Sequence, residues 1–446
     1  MTITSKNIEA SVSFLIETIK ARLSNFFKQN NNGPFVYPDL QLQEENNAAF
    51  THFLATHQLN LEEYVILLLS LTPHIQPNFL DAVIQQYLPN GGDFPEIGGV
   101  KGNIHRGTIP TGETALFIIA GNDLNKRLDA FRYFSPDHFF AKENILFLEP
   151  VKNGEPKMSG RLILQDEYVD LFTTGTVWKP TFGPEFPATL ITTKMDWNDV
   201  VLQPQTAQSI EDIKVWLQHN PVFMNNWQMD KKIKPGFRAL FYGPSGTGKT
   251  LTATLLGNHF NKDVYRIDLS QVVSKYIGET EKNLEKIFSK AEHKDWILFF
   301  DEADALFGKR SNVQTAHDKY ANQEVSYLLQ RVENFPGLII LASNFKSNMD
   351  PAFIRRFNSI IHFPMPEAAD RVQIWKRSLP CKASLAEDVD INTIARKYEL
   401  SGSAIASAIH YASLQTINKN STVISKHDIL EGIKKEYQKE ERVFSS

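Results

Sequence analysis

The sequence predicts an α/β protein whose central domain holds a parallel five-stranded sheet with helices on both faces. From residue 236 to about 365, short apolar runs typical of buried strands alternate with stretches of helical periodicity, as in parallel sheets. From Glu367 onward every periodic segment is helical, which predicts a small helical lid after the sheet. Ahead of the sheet the pattern is first helical and then mixed, so an N-terminal region of both kinds is expected.

These changes in pattern divide the 446 residues into four predicted domains. They are a helical region at 1–90, a mixed α/β region at 91–195, the α/β domain at 196–365 and the lid at 366–446. In the mixed region, apolar runs predict strands at 116–119, 145–148, 162–164 and 188–191, and a winged-helix-like element is one alternative there. In the α/β domain the predicted strands are 239–242, 263–268, 296–300, 338–343 and 359–363.

The composition excludes several classes of protein. Hydrophobic residues make up 42% of the chain and charged residues 22%, as in an ordinary soluble globular protein. The net charge of −4 gives no global attraction to nucleic acid or to an anionic membrane, and no apolar run is long enough for a membrane span. The N-terminus lacks a signal-peptide pattern and the single cysteine excludes an internal disulfide, so a cytoplasmic location is the expectation.

A glycine-rich stretch between a predicted strand and a predicted helix gives the most specific signal. Its sequence from 243 to 250, Gly-Pro-Ser-Gly-Thr-Gly-Lys-Thr, is the P-loop pattern, in which backbone N–H groups and a helix N-terminus bind nucleotide phosphates. A chance glycine-rich turn is the alternative. Lys249 would reach the β- and γ-phosphates of ATP, and the Thr250 hydroxyl would hold Mg²⁺. The predicted nucleotide contacts are Gly243, Pro244, Ser245, Gly246, Thr247, Gly248, Lys249, Thr250 and Leu251.

Two adjacent acids end the predicted strand at 296–300. Asp301 would accept a hydrogen bond from a water on Mg²⁺, and Glu302 would polarise the water that attacks the γ-phosphate. A helix N-cap is the alternative role for such a pair. Because the acids follow the phosphate loop within one alternating α/β pattern, ATP hydrolysis is the favoured interpretation.

From about residue 197 to 435 the chain resembles the AAA+ ATPases, and within them the AAA clade. The stretch Asp-Glu-Ala-Asp-Ala-Leu-Phe at 301–307 is similar to the Walker B region of that clade, and residues 274–284 are similar to its first pore loop. The resemblance implies that Lys275, Tyr276 and Ile277 face the central channel of a homo-hexamer and grip a protein substrate. The alternative is an ordinary turn with Tyr276 packed inside.

Three further segments add to the resemblance. Leu341–Asn344 resembles the sensor 1 strand, so Asn344 would orient the attacking water, although an Asn that caps a turn is the plainer alternative. Residues 349–357 resemble the second region of homology, which implies that Arg355 and Arg356 reach the nucleotide of a neighbouring subunit as arginine fingers. Gly402 and Ser403 lie in a lid stretch on which the adenosine of family members rests, but Ala404 stands where an acid is usual. Residues 309–323 would hold a second pore loop or a solvated loop.

These residues together predict an ATP-hydrolysing ring motor that unfolds, remodels or disassembles proteins through a central pore. A nucleotide-dependent scaffold or loader is an alternative, against which Glu302 and the two arginines argue. A nucleic-acid motor is another, which the net charge and the aromatic pore loop do not favour. The wording around 275–283, 317–330 and 341–350 further resembles bacterial AAA proteins associated with extracellular contractile injection systems.

Overall fold

The computed structural model describes residues 3–27, 35–40, 49–89, 94–184, 186–272, 278–292, 294–303, 316–344 and 351–444. The chain divides into two compact units, residues 1–179 and residues 180–446. The first boundary therefore falls 16 residues before the predicted start of the α/β domain at 196.

The first unit is mostly helical, with two short antiparallel strand pairs. Its helices are α1 (Ile3–Phe27), α2 (Ala49–His57), α3 (Leu61–Ile75), α4 (Phe79–Tyr87), α5 (Gly112–Ala120), α6 (Leu124–Ala130), α7 (Phe139–Lys142) and α8 (Asp166–Thr174). Strand β1 (Val100–Lys101) pairs with β2 (Thr108–Ile109), and β3 (Leu146–Leu148) pairs with β4 (Leu162–Leu164). One cluster of buried side chains extends from Phe14 to Phe172, so residues on both sides of the predicted boundary at 90 share a core.

The predicted strand at 116–119 is wrong, because these residues lie in helix α5. A reciprocal capping box starts this helix: the Thr111 hydroxyl accepts from the N–H of Thr114, and the Thr114 hydroxyl accepts from the N–H of Thr111. All residues of the helix except Glu113 are buried, so its apolar run has no amphipathic period to distinguish it from a buried strand. Near the C-terminal end of helix α5, the buried Arg22 guanidinium donates hydrogen bonds to the carbonyls of Ile118 and Ile119.

The second unit is built on a six-stranded sheet with strand order β10-β6-β9-β8-β7-β5. Its strands are β5 (Thr189–Ile191), β6 (Phe237–Tyr242), β7 (Val264–Asp268), β8 (Ile297–Asp301), β9 (Leu338–Ser343) and β10 (Ser359–His362). Strands β6 to β10 are parallel, which confirms the predicted α/β fold with its five parallel strands. Strand β5 is an addition: it comes from the region predicted to precede this domain and runs antiparallel to β7.

Helices cover both faces of this sheet. They are α9 (Pro204–Pro221), α10 (Lys249–Phe260), α11 (Leu269–Val272), α12 (Glu279–Glu292), α13 (Ala316–Asn334) and α14 (Pro351–Ile354). Alternate residues of one strand join different cores: Leu298 and Phe300 of β8 face one cluster, whereas Ile297 and Phe299 face the other. Burial on both faces explains why the central strands read as continuous apolar runs.

The segment around β5 is anchored to the sheet by side chains as well as by strand pairing. The buried Phe186 ring packs edge-on against Tyr265, with ring centres 5.3 Å apart, and also against Trp296, at 5.8 Å. Beyond the strand, the Thr193 carbonyl accepts a 2.9 Å hydrogen bond from the Asn258 side chain of α10. The sheet edge at β7 is thus covered by a tightly held segment.

The lid follows the sheet as predicted and contains α15 (Ala368–Ser378), α16 (Ile391–Lys397), α17 (Gly402–Asn418) and α18 (Lys426–Lys439). A two-residue parallel pair, β11 (Ser384–Leu385) with β12 (Val423–Ile424), joins two of its loops. Its own core includes the fully buried Trp375, Ile405 and Ile433. In the part of the chain that the structure describes, no helix has the length and apolar character needed to cross a membrane.

Candidate nucleotide site

The phosphate loop lies where the sequence placed it, between the end of β6 and the start of α10 at Lys249. Gly243, Gly246 and Gly248 have φ angles of +145°, +75° and +100°, in the region that side chains disfavour. At Gly246 space is also limiting, since a Cβ atom would lie 2.0 Å from the Ser403 hydroxyl oxygen. The loop conformation therefore depends on glycine, as a loop that offers backbone N–H groups to phosphates requires.

Lys249 is the first residue of α10, and it is only 8% exposed. Its ammonium donates hydrogen bonds to the carbonyl oxygens of Gly243 at 2.6 Å and Pro244 at 2.9 Å, and to the Asn344 Oδ1 atom at 3.2 Å. The structure thus brings together the predicted phosphate-binding lysine and the predicted sensor amide. These bonds hold the ammonium within the loop, where the β- and γ-phosphates of ATP are expected to bind.

The two predicted acids lie at the carboxyl end of another strand of the same sheet, β8. Asp301 is the last residue of β8, and Glu302 follows it with φ of +51°, a left-handed conformation that costs a non-glycine residue free energy. The Glu302 N–H donates to the Asp301 carboxylate at 3.1 Å, and the next N–H, of Ala303, donates to the carbonyl of Ala342 in β9 at 2.9 Å. These bonds hold the turn so that both carboxylates face the same cavity.

That cavity has a volume of about 470 Å³ and lies between the sheet and the lid. It is lined by residues 245–251 of the phosphate loop, by Asp301, Glu302 and Asn344, and by Gly402 and Ser403 of the lid. Of the nucleotide contacts predicted in the phosphate loop and the lid, all except Gly243 and Pro244 therefore line one space. A cavity of this size is in the range that holds a small-molecule ligand.

The lid touches the phosphate loop directly. The N–H of Ser403 donates to the carbonyl of Gly246 at 3.1 Å, and the hydroxyls of Ser401 and Ser403 are 3.2 Å apart. Ser401 also caps helix α17 by accepting from the N–H of Ala404. The first turn of α17 is consequently fixed against the loop, and Gly402 provides the cavity wall without a side chain.

The sequence interpretation missed one wall of the cavity, which comes from the segment ahead of α9 and from α15. Met195, Asp199, Val200, Val201, Leu202, Gln203 and Thr206 line it, together with Asp370 and Ile374 of the lid. Arg377 ties the two parts together by donating to the Val200 carbonyl at 2.7 Å. An apolar Val-Val-Leu run just before a proline-initiated helix was the available signal. The apolar side chains of this wall, those of Val200, Val201, Leu202 and Ile374, suit an adenine ring.

Arg355 and Arg356 do not line this cavity. They lie between α14 and β10, and both are exposed. The structure therefore does not bring them to the nucleotide site of their own chain. Lys275, Tyr276 and Ile277 lie outside the described residues. So do 309–315 of the predicted second pore loop, whereas 316–323 belong to helix α13.

Comparison with known proteins gives the domain its family. A model of the family described as "ATPase family associated with various cellular activities (AAA)" matches residues 239–365. The 26S proteasome regulatory subunit 6B homolog of Dictyostelium discoideum is 31% identical over 233 residues, which cover 50% of this chain and 58% of that protein. The proteasome-activating nucleotidase of Methanopyrus kandleri is 32% identical over 217 residues, covering 47% and 50%. That of Thermococcus kodakarensis is 30% identical over 259 residues, covering 56% and 64%.

The chain thus spans less than two thirds of the length of each of these relatives. The matched segment runs from β6 to just beyond β10 and contains the phosphate loop, the two acids, the sensor strand and both arginines. The prediction of an ATP-hydrolysing domain is confirmed by this match, because the family is one of ATPases. Residues 239–365 of this chain are an AAA ATPase domain.

Proposed function

We propose that the protein is an ATP-driven ring motor that remodels protein substrates. The observation that carries the proposal is the single cavity that joins Lys249, the Asp301–Glu302 pair, Asn344 and the lid. A site for ATP storage needs only the loop and an adenine wall. A carboxylate placed beside the phosphate loop adds the means to activate water.

In this proposal each residue of the site has a separate role in ATP hydrolysis. Glu302 accepts a proton from the attacking water, and Asn344 holds that water by its amide. Lys249 exchanges its bonds to the loop carbonyls for bonds to the β- and γ-phosphates. The oxygen donors of Thr250 and Asp301 suit Mg²⁺, which when bound supplies charge neutralisation at the phosphates.

The charged side chains that line the cavity support a ring assembly of several copies of the chain. Of the described residues that line it, Lys249 carries the positive side chain, and no arginine is among them. Stabilising the charge of a phosphoryl transition state by a guanidinium is worth several orders of magnitude in rate. We therefore infer that a second copy of the chain supplies an arginine, as in the homo-hexamer that the sequence resemblance implies.

A protein as substrate is supported by the relatives, whose names connect them with the proteasome. The central pore and a cytoplasmic location remain part of the proposal. A component of a contractile injection system is the narrower candidate for the substrate, based on the sequence resemblance at 275–283. Capture of proteins on an ATP-bound Glu302→Gln ring, identified by mass spectrometry, tests that candidate.

The pore assignment is tested with Tyr276→Ala and the matched variant Tyr276→Phe. We expect Tyr276→Ala to bind ATP normally but to lose unfolding of a tagged fluorescent protein substrate, because the side chain that grips the polypeptide is gone. Tyr276→Phe keeps the aromatic grip and retains unfolding. Equal unfolding by wild type and Tyr276→Ala would contradict a pore role for this loop.

The contact between the lid and the phosphate loop is tested with Gly246→Ala. A Cβ at this position would lie 2.0 Å from the Ser403 hydroxyl and 2.7 Å from the Ser401 hydroxyl, so these side chains have to shift, and we expect ATP affinity to fall at least about tenfold, or about 1.4 kcal/mol. Gly154→Ala is the matched control, because Gly154 has φ of +97° but no atom within 4 Å of the added Cβ. Both variants pay the same backbone strain, of about 1 kcal/mol. Titration with a fluorescent ATP analogue distinguishes them, and equal affinities would argue against this contact.

A further inference from the structure

Arg355 and Arg356 are neighbours in sequence with different surroundings. The Arg356 guanidinium forms an ion pair with Glu333, and Lys234 lies 2.9 Å from the other oxygen of the same carboxylate. Arg355 is exposed and, within the part of the chain that the structure describes, has neither a hydrogen bond nor an ion pair from its side chain. One guanidinium is therefore engaged within its own subunit, and the other is available.

Glu333 is well placed to fix Arg356. It is the penultimate residue of α13, and its carbonyl accepts a 2.9 Å hydrogen bond from the Arg238 guanidinium of β6. The hydrogen bond from Lys234 is the main cause that lowers the pKa of the Glu333 carboxyl, and the charge of Arg356 lowers it further. The carboxylate therefore stays ionised at neutral pH and binds both cations.

The loop that carries the arginines is also tied to the sheet on the other side of Arg356. Asn358 accepts from the N–H and from the Nε of Arg238 through one oxygen, at 3.0 Å each, and its own N–H donates to the Arg238 carbonyl at 2.9 Å. On the preceding side, the backbone N–H of Arg356 donates a 3.0 Å hydrogen bond to the carbonyl of Phe353. The backbone is thus held on both sides of Arg356, and the exposed Arg355 sits within this held turn.

We propose that the two arginines have separate roles: Arg355 enters the nucleotide site of the neighbouring copy, and Arg356 is a positioning residue. Together with Glu333 and Lys234, Arg356 fixes the turn from which Arg355 extends. This inference rests on the proposed ring motor. In place of two equivalent arginine fingers, it assigns the finger role to Arg355 alone and a positioning role to Arg356. An exposed ion pair adds little stability, so the contribution of this one is geometric.

Lysine substitutions separate the two roles, because lysine can keep an ion pair but cannot reproduce the planar fork of a guanidinium. We expect Arg355→Lys and Arg355→Ala both to lower kcat about 1,000-fold or more, the scale on which an arginine finger acts. Arg356→Ala and Glu333→Gln each lower kcat about tenfold with KM nearly unchanged, and the double variant is no worse than either single one. Arg356→Lys, which can still pair with Glu333, recovers turnover to within about threefold of wild type.

Mixed rings provide a readout that a loss of folding would not give. Arg355→Ala subunits have intact acids, and Glu302→Gln subunits have an intact Arg355, so mixing two inactive proteins restores turnover. Equal damage by Arg356→Lys and Arg355→Lys, or additive effects of Glu333→Gln and Arg356→Ala, would overturn the division of roles. Failure of the ring motor itself is recognised separately, as full wild-type turnover by a protein that is monomeric in the presence of ATP.

Discussion

Glu302→Gln is expected to lower ATP turnover by at least about 100-fold, the usual contribution of a positioned general base. The side chain lines the nucleotide cavity next to Asp301 and is held in a left-handed turn by hydrogen bonds of its own N–H and of the next residue. Glutamine has the same size and adopts the same backbone at similar cost, so the cavity keeps its shape. ATP affinity is therefore expected to stay within about threefold of the wild-type value, since the loss is of chemistry and not of binding.

Phosphate release in a single turnover measures the first quantity, and titration with a fluorescent ATP analogue measures the second. Glu292→Gln is the matched control, because Glu292 pairs with Arg331 at 2.9 Å and does not line the cavity. Wild-type hydrolysis by Glu302→Gln would remove this residue from the mechanism and with it the main argument for a motor.

Lys249→Ala is expected to abolish ATP binding, raising Kd at least about 100-fold, or about 2.7 kcal/mol. Lys249 is 8% exposed, and its ammonium lies among the carbonyl oxygens of the loop and the amide oxygen of Asn344. Its removal takes a positive charge away from the phosphates and also removes the donor that closes the loop. Both effects act before hydrolysis, so this variant differs from Glu302→Gln, which binds ATP.

Lys262→Ala is the control for the general effect of removing a lysine from this part of the protein. Lys262 follows the other end of α10 and pairs at 3.1 Å with the highly exposed Asp295, an interaction worth at most about 1 kcal/mol. We expect that variant to bind ATP normally. Tight ATP binding by Lys249→Ala would show that the cavity does not use the phosphate loop.

The second unit could be predicted in detail because its signals are local. The P-loop pattern requires a strand before it and a helix after it, and β6 and α10 are found there. Buried central strands contain continuous apolar residues, so β8 and β9 were visible as short runs bounded by polar residues. The clustering of Lys249, Asp301 and Asn344 then followed from parallel strands, whose carboxyl ends share one edge of the sheet.

Other features depend on contacts between distant segments and could not be predicted. Strand β5 pairs with β7, which lies about 75 residues later in the chain, and the sequence of β5 itself does not indicate this partner. The run at 116–119 was assigned the wrong structure because a fully buried helix has no polar face. The different surroundings of Arg355 and Arg356 depend on Glu333, which precedes them by more than 20 residues.

Strand β5 is also the point at which the chain joins the sheet of the second unit. The chain reaches the second unit just before β5, whose residues Thr189 to Ile191 pair with Arg266, Tyr265 and Val264 of β7. Strand β7 leads through α11 toward the residues predicted to grip the substrate. The three-residue ladder between β5 and β7, together with the Phe186 ring, therefore attaches the incoming chain to the strand that precedes those residues.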